Sequence, residues 1–342
     1  MANPPNGTAR RFGARTGFAL GVATGVVVTL GAGPLRAWWL PTRGAVPPGC
    51  EVVDWGEPGA AHPHRVRQLA SGIEFLYVPA GAFVMGDAEV RHNRGPEHYR
   101  LVRNGFYLGV HEVTVGQWRR FAAASEYRTD VESGVAEGGC VPTGPTIDDR
   151  AARKDATWQN PLPGQPGFQL LETHPVTQVT YADAKAFAQF YGLHLPSEAQ
   201  WEYAYRAGAT GYKPAGDWPT TKHMNFWDAR AMNAYGLSLE GVLGDGHAFL
   251  APCCSYPPSP WGFHDLAGNV EEYCADAYVE GERYRRVDEQ PIEIGSRSGF
   301  GPQARVVRGG SWMLPAWYAQ FSYRVAGWLP SADRGFRVLL AL

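Results

Sequence analysis

The sequence predicts a loop-rich globular fold built from short strands and short helices. Three observations predict it. Glycine (42) and proline (27) make about a fifth of the 342 residues and follow no strict period, which excludes collagen and favours ordered turns. Aromatic residues are abundant (12 Trp, 16 Tyr and 15 Phe), a load that a disordered chain does not normally carry. Short runs with strand or helix periodicity are separated by long stretches with neither. The length admits one large domain or two ordinary ones.

Residues 1–16 are polar and basic, and residues 17–35, GFALGVATGVVVTLGAGPL, carry no charge. A basic flank before an apolar segment is the pattern of a signal peptide or a single membrane anchor, so residues 1–40 are read as one or the other. A buried Gly/Ala-rich helix is the alternative. The expected location is extracytoplasmic: periplasmic or secreted, and membrane-anchored through 17–35 if the segment is not cleaved. Residues 41–70 read as a linker or irregular lead-in, and the folded domain is expected over 71–342.

IEFLYVPAGAFVMGD at 73–87 holds two strand-like runs around Pro79 and Gly81, which a turn can join as a hairpin. RNGFYLGVHEVTV at 103–115 offers another strand, and His111 and Glu112 read there as polar strand positions. Trp118, Phe121 and Ala122 have helical spacing in the piece that follows. Residues 129–172 read as an elaborated surface loop that Cys140 can brace. TYADAKAFAQFYG at 180–192 is a helix with Thr180 as N-cap and Asp183 completing a capping box. LPSEAQWEYAYRAG at 195–208 repeats this with Ser197 and Gln200, and Glu198 and Glu202 share a face that can meet Arg206.

Residues 209–260 are mainly turns, held by aromatic packing, disulfides or cations. Asn225 and Asp245 are candidate oxygen ligands for calcium, although the DxDxDG pattern is absent. In FHDLAGNVEEY at 263–273, Asp265, Gly268, Val270 and Glu272 present alternating oxygens if the chain loops around a hard cation. The same residues also make a turn pinned by Asp265 and Asn269, with Glu272 paired to an arginine. RGGSW at 308–312 brings a strand into a glycine turn, and Arg308 can form a fork with a carboxylate. Ser311 has no GxSxG context, which argues against a hydrolase. Trp317, Tyr318, Phe321, Tyr323 and Arg324 line an aromatic cleft or belong to the core. GFRVLLAL at 335–342 reads as a buried strand.

Formal charge is −2, with no long basic run, so nucleic acid is not an expected partner. The five cysteines, Cys50, Cys140, Cys253, Cys254 and Cys274, contain no CxxC pair, which argues against a zinc ribbon or thioredoxin-type centre. Neighbouring Cys253 and Cys254 are too close along the chain for an ordinary disulfide.

Taken together, the segments resemble the formylglycine-generating enzyme, or sulfatase-modifying-factor, superfamily over about residues 73–340. They are VPAGAFVMG (78–86), HEVTVGQWRRF (111–121), THPVTQVTYADAKAF (173–187), LPSEAQWEYAYRAG (195–208), DLAGNVEEY (265–273), RVVRGGSW (305–312) and GFRV (335–338). The resemblance implies a single mixed α/β domain with a C-type-lectin-like fold and little regular secondary structure. It implies structural calcium at two loops. Asn225, Phe226, Asp245 and His247 match one, and Asp265, Gly268, Val270 and Glu272 match the other, with Phe226, His247, Gly268 and Val270 acting through backbone carbonyls. It also places Asn269, Glu271, Arg308, Ser311, Trp312, Tyr318 and Arg324 at a candidate cleft.

Family members that make formylglycine bind copper through two cysteines after the GGS motif. Here Leu314 and Ala319 stand at those places, so copper is not expected at the usual site and ordinary formylglycine formation is not expected. The redox metal, if there is one, is not named by the sequence. Two readings follow. In the first, the protein is an exported binding or accessory domain for a peptide or protein. In the second, it is an atypical metal-dependent oxidoreductase acting on a peptide or a peptide-derived small molecule, resembling the pyoverdine-maturation branch of the superfamily.

Overall fold

A computed structural model describes residues 45–57, 60–88, 96–144, 149–214, 222–234, 244–279 and 304–342. The apolar segment 17–35 lies outside the described residues. No helix among the described residues is long and apolar enough to cross a membrane.

The first six strands are β1 (Cys50–Asp54), β2 (Arg65–Gln68), β3 (Glu74–Val78), β4 (Gly81–Met85), β5 (His98–Val102) and β6 (Phe106–Gly109). Helix α1 (Val115–Ser125) follows, then β7 (Gly139–Pro142), β8 (Arg150–Arg153), α2 (Tyr181–Phe190), α3 (Glu198–Arg206) and α4 (Ala229–Ala234). The chain ends with β9 (Glu271–Ala277), β10 (Arg305–Arg308), β11 (Val325–Gly327), β12 (Arg334–Gly335) and β13 (Leu339–Ala341). The main sheet has the order β1-β2-β3-β6-β13, and a second sheet the order β11-β10-β9-β12. This is the mixed α/β, low-regularity fold expected.

Strand alternation places the main sheet between two cores. Phe75 and Tyr107 point to one side, where Trp118 of α1 and Phe187 of α2 stack 5.8 Å apart. Leu76 and Leu108 point to the other, against Trp201 and Tyr205 of α3. Each of these large side chains stabilises the fold by about 1.5–3 kcal/mol through burial. Two helices begin where the sequence predicts, after Thr180 and Ser197, and a third begins after Thr114. Thr114, Thr180 and Ser197 each cap an N-terminus with a complete capping box.

Three local expectations change. The runs flanking Pro79 and Gly81 do not pair with each other. β3 pairs with β2 and β6, while β4 pairs with β5. Burial on both faces draws β3 into the main sheet, and Gly81 turns the chain away where a side chain would meet Tyr203 Oη at 2.3 Å. The final segment is not one strand. Gly335 pairs with Glu272 in the second sheet, whereas Leu339 to Ala341 pair with β6. Lastly, β1 and β2 lie in the stretch expected to be a linker and extend the main sheet.

Candidate functional site

The loop between Phe263 and Glu271 links three parts of the molecule. Asp265 and Asn269 adopt φ values of 56° and 61°, a conformation unusual for non-glycine residues. Gly268, with φ 75°, has no room for a side chain: a Cβ would sit 2.2 Å from Asn225 O. Asn269 is buried and bonds in several directions. Its Nδ2 donates to Glu112 Oε1 (3.0 Å) and Ala251 O (3.2 Å), and its Oδ1 accepts from Ala251 N (3.0 Å) and Asn225 Nδ2 (3.2 Å).

The two loops expected to hold calcium differ in fit. At the first, Asn225 is fully buried and its Oδ1 has no hydrogen-bond donor. Asp245 accepts from Phe226 N and His247 N, both at 2.9 Å, and Asp228 accepts the Asp245 backbone N–H. Burial raises the Asp245 carboxyl to about 7, with nearby Asp228 adding to the rise. An orphaned amide oxygen and two carboxylates suit a hard cation. At the second, Asp265 Oδ2 accepts Cys254 N at 2.7 Å. Glu272 receives Arg337 Nε on Oε2 and Nη2 on Oε1, each at 2.6 Å, and Trp201 Nε1 at 2.8 Å. Glu272 is therefore the partner of a guanidinium in this fold. Val270 is fully buried beside Trp312.

Three of the seven expected cleft residues, Arg308, Arg324 and Glu271, are in interior ion pairs. Arg308 Nε lies 3.2 Å from Glu198 Oε1, its Nη2 bonds Glu202, and its Nη1 donates to Phe321 O at 2.9 Å. Arg324 forks onto Glu198 at 2.8 and 3.0 Å. Glu271 pairs with Arg334 at 2.8 Å. Ser311 Oγ donates to Asp333 Oδ2 at 2.8 Å. Trp312 is fully buried, and only Tyr318 is partly exposed, packed against Trp317 and Tyr323. Leu314 and Ala319 are buried at 3% and 2% exposure and offer no donor side chain. Paired-thiolate copper does not fit there.

A different donor group forms elsewhere. His111, Glu112 and Cys253 bring one ligand atom each within 4.8 Å of one another. His111 Nδ1 lies 2.6 Å from Glu112 O, which places the ring proton on Nδ1 and leaves the Nε2 lone pair. Glu112 is fully buried, and its Oε2 has no hydrogen-bond partner. Burial raises the Glu112 carboxyl well above its ordinary range, helped by Asp265 and Glu272. Burial also raises the Cys253 thiol and lowers the His111 imidazole. All five cysteines are free thiols, so disulfides do not hold the turn-rich segment.

The adjacent His111 and Glu112 were visible in the sequence. Their sulfur neighbour lies 141 residues beyond Glu112, and no local pattern joins them. Asp265, on the next loop, also lines a cavity of about 260 Å³ walled by Tyr205, Pro257, Pro260, Phe263 and Phe321.

Comparison with known proteins agrees with this architecture. Residues 61–342 match the sulfatase-modifying factor enzyme 1-like domain. The formylglycine-generating enzyme of Streptomyces coelicolor is 31% identical over 293 residues, covering 79% of this chain and 86% of that protein. The enzyme of Thermomonospora curvata is 30% identical, covering 76% of this chain and 88% of its own. Among solved structures, PvdO from Pseudomonas aeruginosa has a TM-score of 0.62 at 22% identity, covering 81% of this chain and 98% of that one. Treponema denticola variable protein 1 shares the fold with a TM-score of 0.52 at 16% identity, covering 79% and 95%. The chain belongs to the sulfatase-modifying-factor enzyme 1-like family.

Proposed function

We propose that this protein is an extracytoplasmic, atypical metal-dependent oxidoreductase acting on a peptide or a peptide-derived small molecule. The observation that carries the reading is the His111, Glu112 and Cys253 donor group, in a chain that keeps the family frame but has Leu314 and Ala319 at the copper positions. The fold is shared with PvdO, and this reading takes the pyoverdine-maturation branch as its analogy. Dioxygen is the electron acceptor in this reading. Two electrons and two protons leave the substrate and reduce it to hydrogen peroxide. Calcium, held by Asn225 and Asp245 with the carbonyls of Phe226 and His247, has a structural role.

A second reading, an exported binding or accessory domain, is favoured by one specific observation. The cavity of about 260 Å³ is walled largely by aromatic and proline side chains, Tyr205, Pro257, Pro260, Phe263 and Phe321, as a binding pocket is. The test is metal analysis of the purified exported protein, coupled to oxygen uptake and peroxide formation with a peptide panel. A transition metal with substrate-dependent uptake supports the oxidoreductase. Calcium alone, with no uptake, leaves the binding domain.

A further inference from the structure

We infer that His111, Glu112 and Cys253 form a binding site for a first-row divalent cation of borderline softness, such as Fe²⁺, with Co²⁺ and Zn²⁺ able to substitute. The inference deepens the oxidoreductase reading and rests on it for its chemical purpose, but binding is testable separately.

Two independent observations carry it. The first is the donor triangle, no wider than 4.8 Å. Donors around a tetrahedral ion stand roughly 3.5 Å apart, so small side-chain rotations close the gap. The second is the uncommitted Glu112 Oε2. A fully buried carboxylate oxygen with no donor is costly unless something compensates it. The other Glu112 oxygen is held by Asn269 at 3.0 Å, so the carboxylate is aimed, not adrift. The imidazole is likewise fixed through Nδ1, the usual way that an outer hydrogen bond orients a histidine ligand. Cys253 is anchored by its backbone N–H to Thr173 O at 2.9 Å.

The donor chemistry selects the ion. A carboxylate and a thiolate offset the charge of a divalent cation, and the imidazole adds a neutral nitrogen. Calcium and magnesium take oxygen donors and are poorly served by sulfur. Cu(I) held by paired thiolates is also a poor match, because Cys254 is outside the donor group and its thiol is exposed. Three protein donors leave at least one position for water or substrate, the arrangement of catalytic and not structural sites. His111 and Cys253 are partly exposed, which gives the ion a route from solvent.

The experiment is Co²⁺ titration of the full chain after chelation, followed by absorption spectroscopy. Wild type is expected to show a thiolate-to-cobalt charge-transfer band that saturates near one equivalent and is abolished by Zn²⁺. Cys253→Ser should remove the band, and His111→Ala should weaken binding by more than about 10-fold. Cys254→Ser should leave both unchanged. Because a variant can fail to fold, thiol alkylation of the wild type is mapped as well. Zn²⁺ should protect Cys253 and leave Cys254 reactive. No charge-transfer band in wild type, an undiminished band in Cys253→Ser, or unprotected Cys253 overturns the site. Oxygen uptake is read in parallel. Cobalt bound as expected without uptake in the iron-loaded protein refutes the oxidoreductase and keeps the site. Oxygen uptake in a wild type that shows no charge-transfer band refutes the site and keeps the oxidoreductase.

Discussion

Arg337 grips both carboxylate oxygens of Glu272, at 2.6 Å each, with both side chains at 0–1% exposure. Its remaining bonds go to the carbonyls of Gly109 (3.1 Å), Val110 (3.5 Å) and His264 (2.9 Å), so the pair ties the end of β6 and the 263–271 loop to β9. Removing one partner leaves a buried charge unpaired. Arg337→Met is expected to cost about 3–5 kcal/mol, and the double variant Glu272→Gln/Arg337→Met less than the sum of the singles. Denaturant melts of the four proteins check this. Strict additivity would show that the pair does not act as a unit.

The Asn225 and Asp245 loop should make stability calcium-dependent. Added calcium is expected to raise the melting temperature of wild type, by about 2.7 kcal/mol of stabilisation at a hundredfold excess over Kd. Asp245→Ala should abolish the increment. Calorimetry with and without chelator distinguishes the outcomes, and a flat response in wild type would remove calcium from this loop.

Gly268 should tolerate no side chain. Its φ of 75° alone costs alanine about 1–2 kcal/mol, and the 2.2 Å approach to Asn225 O adds to that. Gly268→Ala is expected to lower the melting temperature and the calcium response together. A variant with only the melting temperature reduced would separate the two loops.

The buried His174 gives stability a pH slope. Burial, reinforced by His247, depresses its pKa from 6.5 to about 4, and its Nδ1 accepts Leu171 N at 2.9 Å. The folded imidazole stays neutral while the unfolded chain takes up a proton below about pH 6.5. The contribution is therefore complete above that pH and is lost as pH falls towards about 4, by at most about 3 kcal/mol. Unfolding free energies of wild type should drop across this window, and His174→Gln should drop less. Parallel curves would rule out His174 as the source.

Ser311 should behave as a structural hydroxyl. Its Oγ donates to the buried Asp333 at 2.8 Å. Ser311→Ala is expected to cost about 1.5–3 kcal/mol, the range for hydrogen bonds to charged groups. If the variant keeps full stability but loses ligand binding or oxygen uptake, Ser311 belongs to a working cleft instead.

Local chemistry settled much of the fold in advance. Thr180 with Asp183, and Ser197 with Gln200, started helices where predicted, because a capping box needs only residues three apart. The shared face of Glu198 and Glu202 was also readable from helical spacing. Strand partners were not. β3 and β4 look like one hairpin because Pro79 and Gly81 sit between them, yet pairing depends on which faces are buried, and that is decided by strands elsewhere in the chain.

The sequence by itself determined the family, through short motifs in order, and the absence of thiols at 314 and 319, since residue identity alone decides whether a metal donor exists. Only the tertiary structure decided how the charges are used. Glu272 alone is compatible with calcium or with an arginine, and the fold supplies Arg337. His111 and Glu112 alone look like polar strand residues, and the fold brings Cys253 beside them. The physical reason is common to both. Burial removes water as a partner, so each buried charge takes its role from whichever distant side chain the packing delivers.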